Sequence, residues 1–215
     1  AIIISGVLLL VIAALFSILG RGGEDTGSEG GAHLKPQMNS IFAAAEQLEK
    51  EGQLLKARET YGRFLEKHPE ADLAGEARAR IEALNLDILF SPIRTADSIM
   101  YVVQPGDTLS KIAKDHDTTV ELIMKSNGLQ NTIIKPGQRL KVNTADFSII
   151  VDKSQNILLL KAGGSIIKTY AVSTGKEGCT PTGSFKIVNK LIDPTWYRAG
   201  AVVGPDSPEN ILGSR

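Results

Sequence analysis

The chain has 215 residues, and its 24 acidic and 24 basic side chains leave no net charge. Without a strong positive field the protein is not drawn to nucleic acid, and nucleic-acid binding is excluded as its main role. The single cysteine, Cys179, rules out an internal disulfide and a cysteine-ligated zinc site. We therefore predict no metal site and no cofactor.

The chain opens with an uncharged apolar run, residues 1–19, AIIISGVLLLVIAALFSIL. Roughly 20 apolar residues cross the hydrocarbon core of a bilayer, whereas the apolar run of a cleaved signal peptide spans only about 7 to 15. The length favours a single-pass transmembrane anchor over a signal peptide or a buried core helix. Because the chain starts at Ala1 without a methionine and stops at Ser214-Arg215 with no obvious terminal element, we expect a fragment cut at both ends.

Residues 20–37, GRGGEDTGSEGGAHLKPQ, are rich in glycine and charge and offer little apolar surface to bury. This composition predicts a flexible linker between the anchor and the rest of the chain.

Residues 38–86 show helical spacing of apolar side chains, which predicts amphipathic helices. Gly52 and Pro69 stand where the first two helices end. Together with Ala57 and Tyr61 they resemble a tetratricopeptide repeat, although about three repeats are normally needed for a continuous core. Two interpretations stay open: a helical hairpin that acts as a spacer, or a repeat-like surface that binds a protein partner. The apolar positions are Ile41, Ala45 and Leu48, then Leu54, Ala57, Tyr61 and Phe64, then Leu73, Ala77, Ile81 and Leu84.

After a second linker, residues 87–99, a strand–helix–helix–strand pattern occupies residues 100–143. Asp107 or Thr108 is placed to cap the first short helix, and Thr118 or Thr119 the second, by accepting bonds from free backbone amides.

The residues of this segment resemble the LysM domain family over its full length. The matching positions are Tyr101, Val103, the run Gly106-Asp107-Thr108-Leu109, Ile112-Ala113, Asn127, Ile134 and Pro136-Gly137-Gln138 with Leu140. The resemblance implies binding of N-acetylglucosamine-containing glycan in a shallow groove between two loops. Its sides would be formed by Gly106, Asp107, Thr108 and Leu109, and by Ile133, Ile134, Lys135 and Pro136. The alternative is that these residues only form turns and core.

From residue 147 onward apolar and polar residues alternate, and turn signals interrupt the alternation at residues 154–156 and 163–164. The run GSFKIVNKL, residues 183–191, continues the pattern as a further predicted strand. An antiparallel β domain is therefore predicted for residues 147–215.

This domain is similar to the L,D-transpeptidase catalytic domain, a β-sandwich enzyme of bacterial cell-wall synthesis. The resemblance rests on IIVDKSQNILLL, YAVSTGK, TPTGSFKI, DPTWYR and PENILGSR, and it covers the first half of such a domain. The family uses a cysteine nucleophile and a histidine, carried in His-Gly and Ser-His-Gly-Cys-Arg segments that are expected beyond Arg215. Cys179 precedes a Thr-Pro-Thr-Gly turn, and no histidine follows His116, so Cys179 is predicted to be noncatalytic.

The sequence thus predicts a multidomain protein: a transmembrane helix, a helical repeat-like segment, a βααβ LysM module and a truncated antiparallel β-sandwich. We expect a membrane-anchored L,D-transpeptidase that binds peptidoglycan on the wall side of the bacterial cytoplasmic membrane. This fragment itself is expected to be inactive. The alternative is a noncatalytic peptidoglycan-binding scaffold.

Overall fold

The computed structural model describes residues 30–175, 178–188 and 191–210. The predicted membrane helix over residues 1–19 lies outside these ranges. Within them, no helix combines the length and the apolar character that a membrane span requires. Contacts divide the described residues into two compact units: one holds residues 30–149 together with Leu159–Thr169, and the other holds Ile150–Leu158 and the described residues between 170 and 210.

The first unit begins with three helices: α1 (Gly30–Lys50), α2 (Leu54–Lys67) and α3 (Ala74–Leu89). This confirms the three amphipathic helices that the apolar spacing predicts. Gly52, at φ +72°, turns the chain after α1. The core of the three helices consists of Phe42, Ala45, Ala57, Tyr61, Phe64, Ala77 and Leu84. In it the ring of Phe42 meets the rings of Tyr61 and Phe64 edge to face.

Both predicted linkers are shorter in the structure than in the sequence analysis. Helix α1 starts at Gly30, inside the predicted flexible linker 20–37, and α3 extends to Leu89, inside the predicted linker 87–99. Adding a residue to an existing helix costs far less than starting one, so packed helices extend into segments of modest propensity. Composition alone does not reveal this extension.

The LysM segment forms β1 (Ser98–Val102), α4 (Leu109–Asp115), α5 (Val120–Ser126) and β2 (Arg139–Asn143). The two strands pair antiparallel, with Tyr101 opposite Leu140. The predicted βααβ order is confirmed. Of the alternative caps, the structure selects Thr108, whose Oγ1 accepts from Lys111 N at 3.2 Å, and Thr119, whose Oγ1 accepts from Leu122 N at 3.1 Å.

A buried lysine of β2 joins the LysM segment to the carboxyl end of α3. The Lys141 side chain is fully buried, and its Nζ donates to the carbonyl oxygens of Ile88 at 2.7 Å, Ser91 at 3.0 Å and Leu89 at 3.4 Å. The last carbonyls of a helix have no partner within the helix, and a positive charge is favourable at that end. Burial lowers the pKa of Lys141 to about 8, which still leaves the group mostly cationic at neutral pH.

A second set of buried hydrogen bonds lies beside Lys141. The hydroxyl of Ser126 donates to Leu89 O at 2.8 Å and accepts from Asn143 Nδ2 at 3.0 Å. The amide of Asn127 pairs with both backbone groups of Lys141, at 2.7 and 2.8 Å. These contacts satisfy polar groups that would otherwise be costly to bury.

The C-terminal region contains β3 (Phe147–Asp152), β4 (Ile157–Ala162) and β5 (Ser165–Ala171) in one sheet of order β3-β4-β5. A second antiparallel pair consists of β6 (Trp196–Arg198) and β7 (Ala201–Val203). The predicted turns are confirmed, with positive φ at Asn156 (53°), Gly163 (55°) and Gly164 (87°).

The predicted strand over residues 183–191 is wrong for its described part, residues 183–188, which form no strand. The apolar side chains there are exposed: Phe185 by 71%, Ile187 by 81% and Val188 by 92%. An alternating sequence becomes a strand only when another strand pairs with its backbone, and none does so within the described residues. For the same reason the predicted β-sandwich is not confirmed.

Candidate functional site

The two loops predicted to bind glycan lie at the same end of the LysM hairpin. One follows β1 and the other precedes β2, and Val103 ties them together. Its N–H donates to Gln138 O at 2.9 Å, and its carbonyl accepts from Gly137 N at 2.8 Å. The structure therefore makes the two predicted groups of site residues neighbours.

Five of the predicted residues are exposed at this end: Gly106, Thr108, Ile133, Lys135 and Pro136. The side chain of Ile133 is 74% exposed, so its apolar surface is free to meet a ligand. Gly106 has φ +85°, a backbone conformation that favours glycine. Exposed backbone, an apolar side chain and a lysine are groups that fit the faces and polar edges of a sugar.

Asp107 is engaged within the loop. Its Oδ2 accepts from Gln104 N at 2.8 Å and from Tyr101 Oη at 2.7 Å, while its Oδ1 accepts from Lys111 Nζ at 3.1 Å. The side chain is only 2% exposed. The backbone amide of Gln104 first, then Tyr101 and Lys111, lower the pKa of Asp107 to about 2. Asp107 therefore organises the first loop as an anion at neutral pH.

Three further predicted residues also have internal roles. Leu109 is buried in the LysM core, and Ile134 packs against the same core. Thr108 uses its hydroxyl as the cap of α4. Direct glycan contact by these residues and by Asp107 stays a prediction. Their packing agrees with the alternative interpretation as turn and core residues.

Sequence reasoning missed how Tyr101, Lys111 and His116 support this loop. Tyr101 and Lys111 hold both oxygens of Asp107, and the ring of His116 meets that of Tyr101 edge to face with centroids 5.6 Å apart. The spacing of Asp107 and Lys111 by one helical turn is a signal that was available. The contact between His116 and Tyr101 had no local signal.

In the second unit, Cys179 is exposed on a loop that is held by hydrogen bonds to neighbouring residues. Lys153 Nζ donates to the carbonyls of Gly178 and Thr180, and Gly175 N donates to Thr180 Oγ1 at 2.7 Å. All three histidines of the chain precede residue 117 in the sequence. Within the described ranges, no group of three or more acidic, histidine or cysteine side chains is placed to hold a metal ion.

The helical segment carries a cleft of about 580 Å³ between α1 and the start of α3. Phe42 and Leu73 supply apolar surface, and Glu46, Asp72 and Glu76 supply carboxylates.

Comparison with known proteins identifies the two C-terminal modules. Residues 101–143 match the LysM domain family, and residues 146–213 match the L,D-transpeptidase catalytic domain family. The chain therefore carries a LysM domain followed by an L,D-transpeptidase catalytic domain.

Two relatives illustrate these matches. A Bacillus licheniformis protein named "Putative L,D-transpeptidase YkuD" is 34% identical over 104 residues, which are 45% of this chain and 63% of that protein. The N-acetylmuramoyl-L-alanine amidase sle1 of Staphylococcus aureus is 45% identical over 76 residues, 35% of this chain and 22% of that protein. The chain thus spans less than two thirds of the length of either relative. No solved structure matches it.

The role of Asp107 predicts a specific pH dependence of stability. Because the pKa of Asp107 is about 2 in the folded protein, below its ordinary value of 3.8, its contribution is present above about pH 4 and is lost as the pH falls through about 2. In urea unfolding at pH 6, Asp107→Asn should lower the midpoint, and the gap to the parent should close as the pH falls through this range. The control is Asp115→Asn, an exposed carboxylate at the end of α4. A gap that stays constant with pH would contradict the assignment.

Proposed function

We propose that this protein is a membrane-anchored peptidoglycan L,D-transpeptidase that holds wall glycan through its LysM domain. The observation that carries the proposal is the joining of these two domains in one chain, over residues 101–143 and 146–213. A glycan-binding module beside an enzyme that acts on the peptide stems of the same polymer raises the local concentration of substrate.

The proposed reaction is an acyl transfer through a cysteine thioester. A thiolate sulfur attacks the carbonyl carbon that joins diaminopimelate to the terminal D-alanine of a tetrapeptide stem. The carbon–nitrogen bond breaks, and D-alanine leaves as its nitrogen takes up a proton from a neighbouring histidine. The side-chain amine of a second stem then attacks the thioester, forms the cross-link and releases the thiol.

This chemistry needs a histidine beside the thiol and backbone donors for the oxyanion. We do not assign this role to Cys179, because no histidine follows His116 in the chain and the groups bonded to its loop, Lys153 and the Thr180 hydroxyl, are not histidines. We assign the nucleophile to the family's Ser-His-Gly-Cys-Arg segment in the whole protein. The scaffold alternative would lack that segment altogether.

Glycan binding is proposed at the exposed end of the LysM hairpin. The side chain of Ile133 would pack on a sugar face, Lys135 and the backbone at Gly106 would meet hydroxyl and acetamido groups, and Pro136 would keep the second loop rigid. Support comes from the exposure of these residues on two loops that Val103 joins.

We place the protein on the wall side of the bacterial cytoplasmic membrane, anchored by residues 1–19. The support is chemical, because glycan and peptide stems are found on that side. Arg21, just after the apolar run, favours the opposite orientation, but a single basic residue is a small bias.

Replacing Ile133 by alanine should weaken binding to insoluble peptidoglycan while leaving the fold intact. Removing a side chain that contacts sugar should cost ~1 kcal/mol, which lowers the association constant by about fivefold. The measurement is sedimentation of the whole chain with purified peptidoglycan, together with its urea unfolding midpoint. The control is Leu55→Ala, an exposed apolar residue of α2. Equal retention of Ile133→Ala and the parent would remove Ile133 from the site.

The acyl-enzyme test separates the enzyme from the scaffold. Incubating the whole protein with a tetrapeptide stem should release D-alanine and give a thioester that mass spectrometry locates on the family's cysteine. Cys179→Ala should retain turnover within about threefold, since loss of a true nucleophile removes several orders of magnitude. A thioester on Cys179 would overturn the assignment, and failure to form any thioester would favour the scaffold.

The orientation is tested by reporter fusion. A reporter that is active only outside the cytoplasm, fused at Gly31, should be active in cells, whereas a reporter active only in the cytoplasm should be silent at the same position. The reverse pair of results would place the downstream domains in the cytoplasm, away from peptidoglycan, and would count against the proposed function.

A further inference from the structure

Helix α3 contacts the transpeptidase sheet through a buried amide. Asn85 is 8% exposed, and its Nδ2 donates to the carbonyls of Ile167 at 3.1 Å and Ile166 at 3.4 Å on β5. Its Oδ1 accepts from Arg58 of α2 at 3.2 Å. Strand β5 is an edge strand of the three-stranded sheet, so its outer backbone groups need partners from outside the sheet.

One helical turn earlier on the same helix, Glu82 adds two more contacts to β5. Its Oε1 accepts from the backbone N–H of Thr169 at 3.1 Å, and its Oε2 pairs with Lys168 Nζ at 3.2 Å. The side chains of this ion pair are only 23% and 27% exposed, so solvent screens them less than an ordinary surface pair.

The short connection between β2 and β3 is also held on both sides. Thr144 N donates to Asp97 O at 3.0 Å, and Gly163 N donates to Asp146 O at 3.1 Å. A side-chain carbon on Gly163 would lie 3.3 Å from the carboxylate of Asp97. These two bonds restrain residues 144–146, which form the connection about which the LysM domain would turn if the contacts of α3 were lost.

The carboxyl end of α3, beyond Asn85, is bound to the LysM domain by the ammonium of Lys141 and the hydroxyl of Ser126. The same helix therefore contacts β2 and α5 of LysM at its carboxyl end and the β5 segment of the transpeptidase domain along its side. LysM, α3 and residues Leu159–Thr169 all belong to one compact unit.

We infer that α3 is an internal brace, in which Glu82, Asn85 and Lys141 are positioning residues that hold LysM in one orientation to the β5 segment. This favours the spacer interpretation of the helical segment, because the brace uses the Glu82 and Asn85 side of α3 within the chain. For the substrate, the consequence rests on the proposed function: a glycan bound by LysM is held in one fixed orientation relative to residues Leu159–Thr169.

The brace is tested without peptidoglycan, by electron spin resonance distance measurements between two nitroxide labels. Cysteines replace the exposed Ser110 of α4 and Ser165 of β5 in a Cys179→Ser background. The braced protein should show one narrow distance distribution. Glu82→Gln combined with Asn85→Ala should widen it by about twofold, because the LysM domain would then move about the three-residue connection.

One further variant tests the LysM end of the brace, and a second variant is its control. Lys141→Met should widen the distribution from the LysM side, since the carbonyls of Ile88, Leu89 and Ser91 each lose the bond from the ammonium. Asp87→Asn, an exposed α3 residue adjacent to the brace, is the matched control and should leave the distribution narrow.

A charge exchange distinguishes positioning from general damage to the fold. Glu82→Lys should widen the distribution, and adding Lys168→Glu should narrow it again in part, because the ion pair is restored while the bond to Thr169 N is not. The comparison of Glu82→Lys with the double variant Glu82→Lys, Lys168→Glu also tests the brace if Asn85→Ala fails to fold. A wide distribution in the starting protein, or a narrow one in all the brace variants, would overturn the inference. Sedimentation with peptidoglycan is a separate readout, so failure of the proposed function would leave this result standing.

Discussion

The ammonium of Lys141, buried against the end of α3, is the interaction on which the arrangement of the first unit depends. An isolated buried cation is costly, and so is a helix end without partners for its carbonyls. Each supplies what the other lacks, through bonds to Ile88, Leu89 and Ser91. The helical segment and the LysM domain are therefore joined by buried hydrogen bonds, although the sequence suggests separate modules.

The candidate glycan site likewise depends on polar groups that find hydrogen-bond partners within the domain. Asp107 holds the first loop through Tyr101, Gln104 N and Lys111, and the core takes up Leu109 and most of Ile134. What remains at the surface is a small set of groups around Ile133. The family pattern thus mixes two kinds of residue, those that shape the loops and those that are free to meet a ligand.

In the transpeptidase domain, strands and turns form between residues that are near in sequence, whereas part of the apolar surface stays exposed. The β3-β4-β5 sheet and its turns form from nearby residues, and α3 supplies side-chain partners to the edge of β5. Residues 183–188, with the same alternating pattern, remain exposed. Alternation states which side chains could share a face, but a strand exists only where a neighbour completes its hydrogen bonds.

The sequence by itself determined the helices, the LysM order and the turns at Asn156 and Gly163, because periodicity and turn preferences act over a few residues. It also located both candidate glycan loops. The choice of Thr108 rather than Asp107 as the cap of α4 was left open by the sequence, although the bonds of both residues are local. Only the tertiary structure paired Lys141 and Asn85 with their distant partners. Burial of a polar side chain depends on what the rest of the chain brings to it, and no local pattern carries that information.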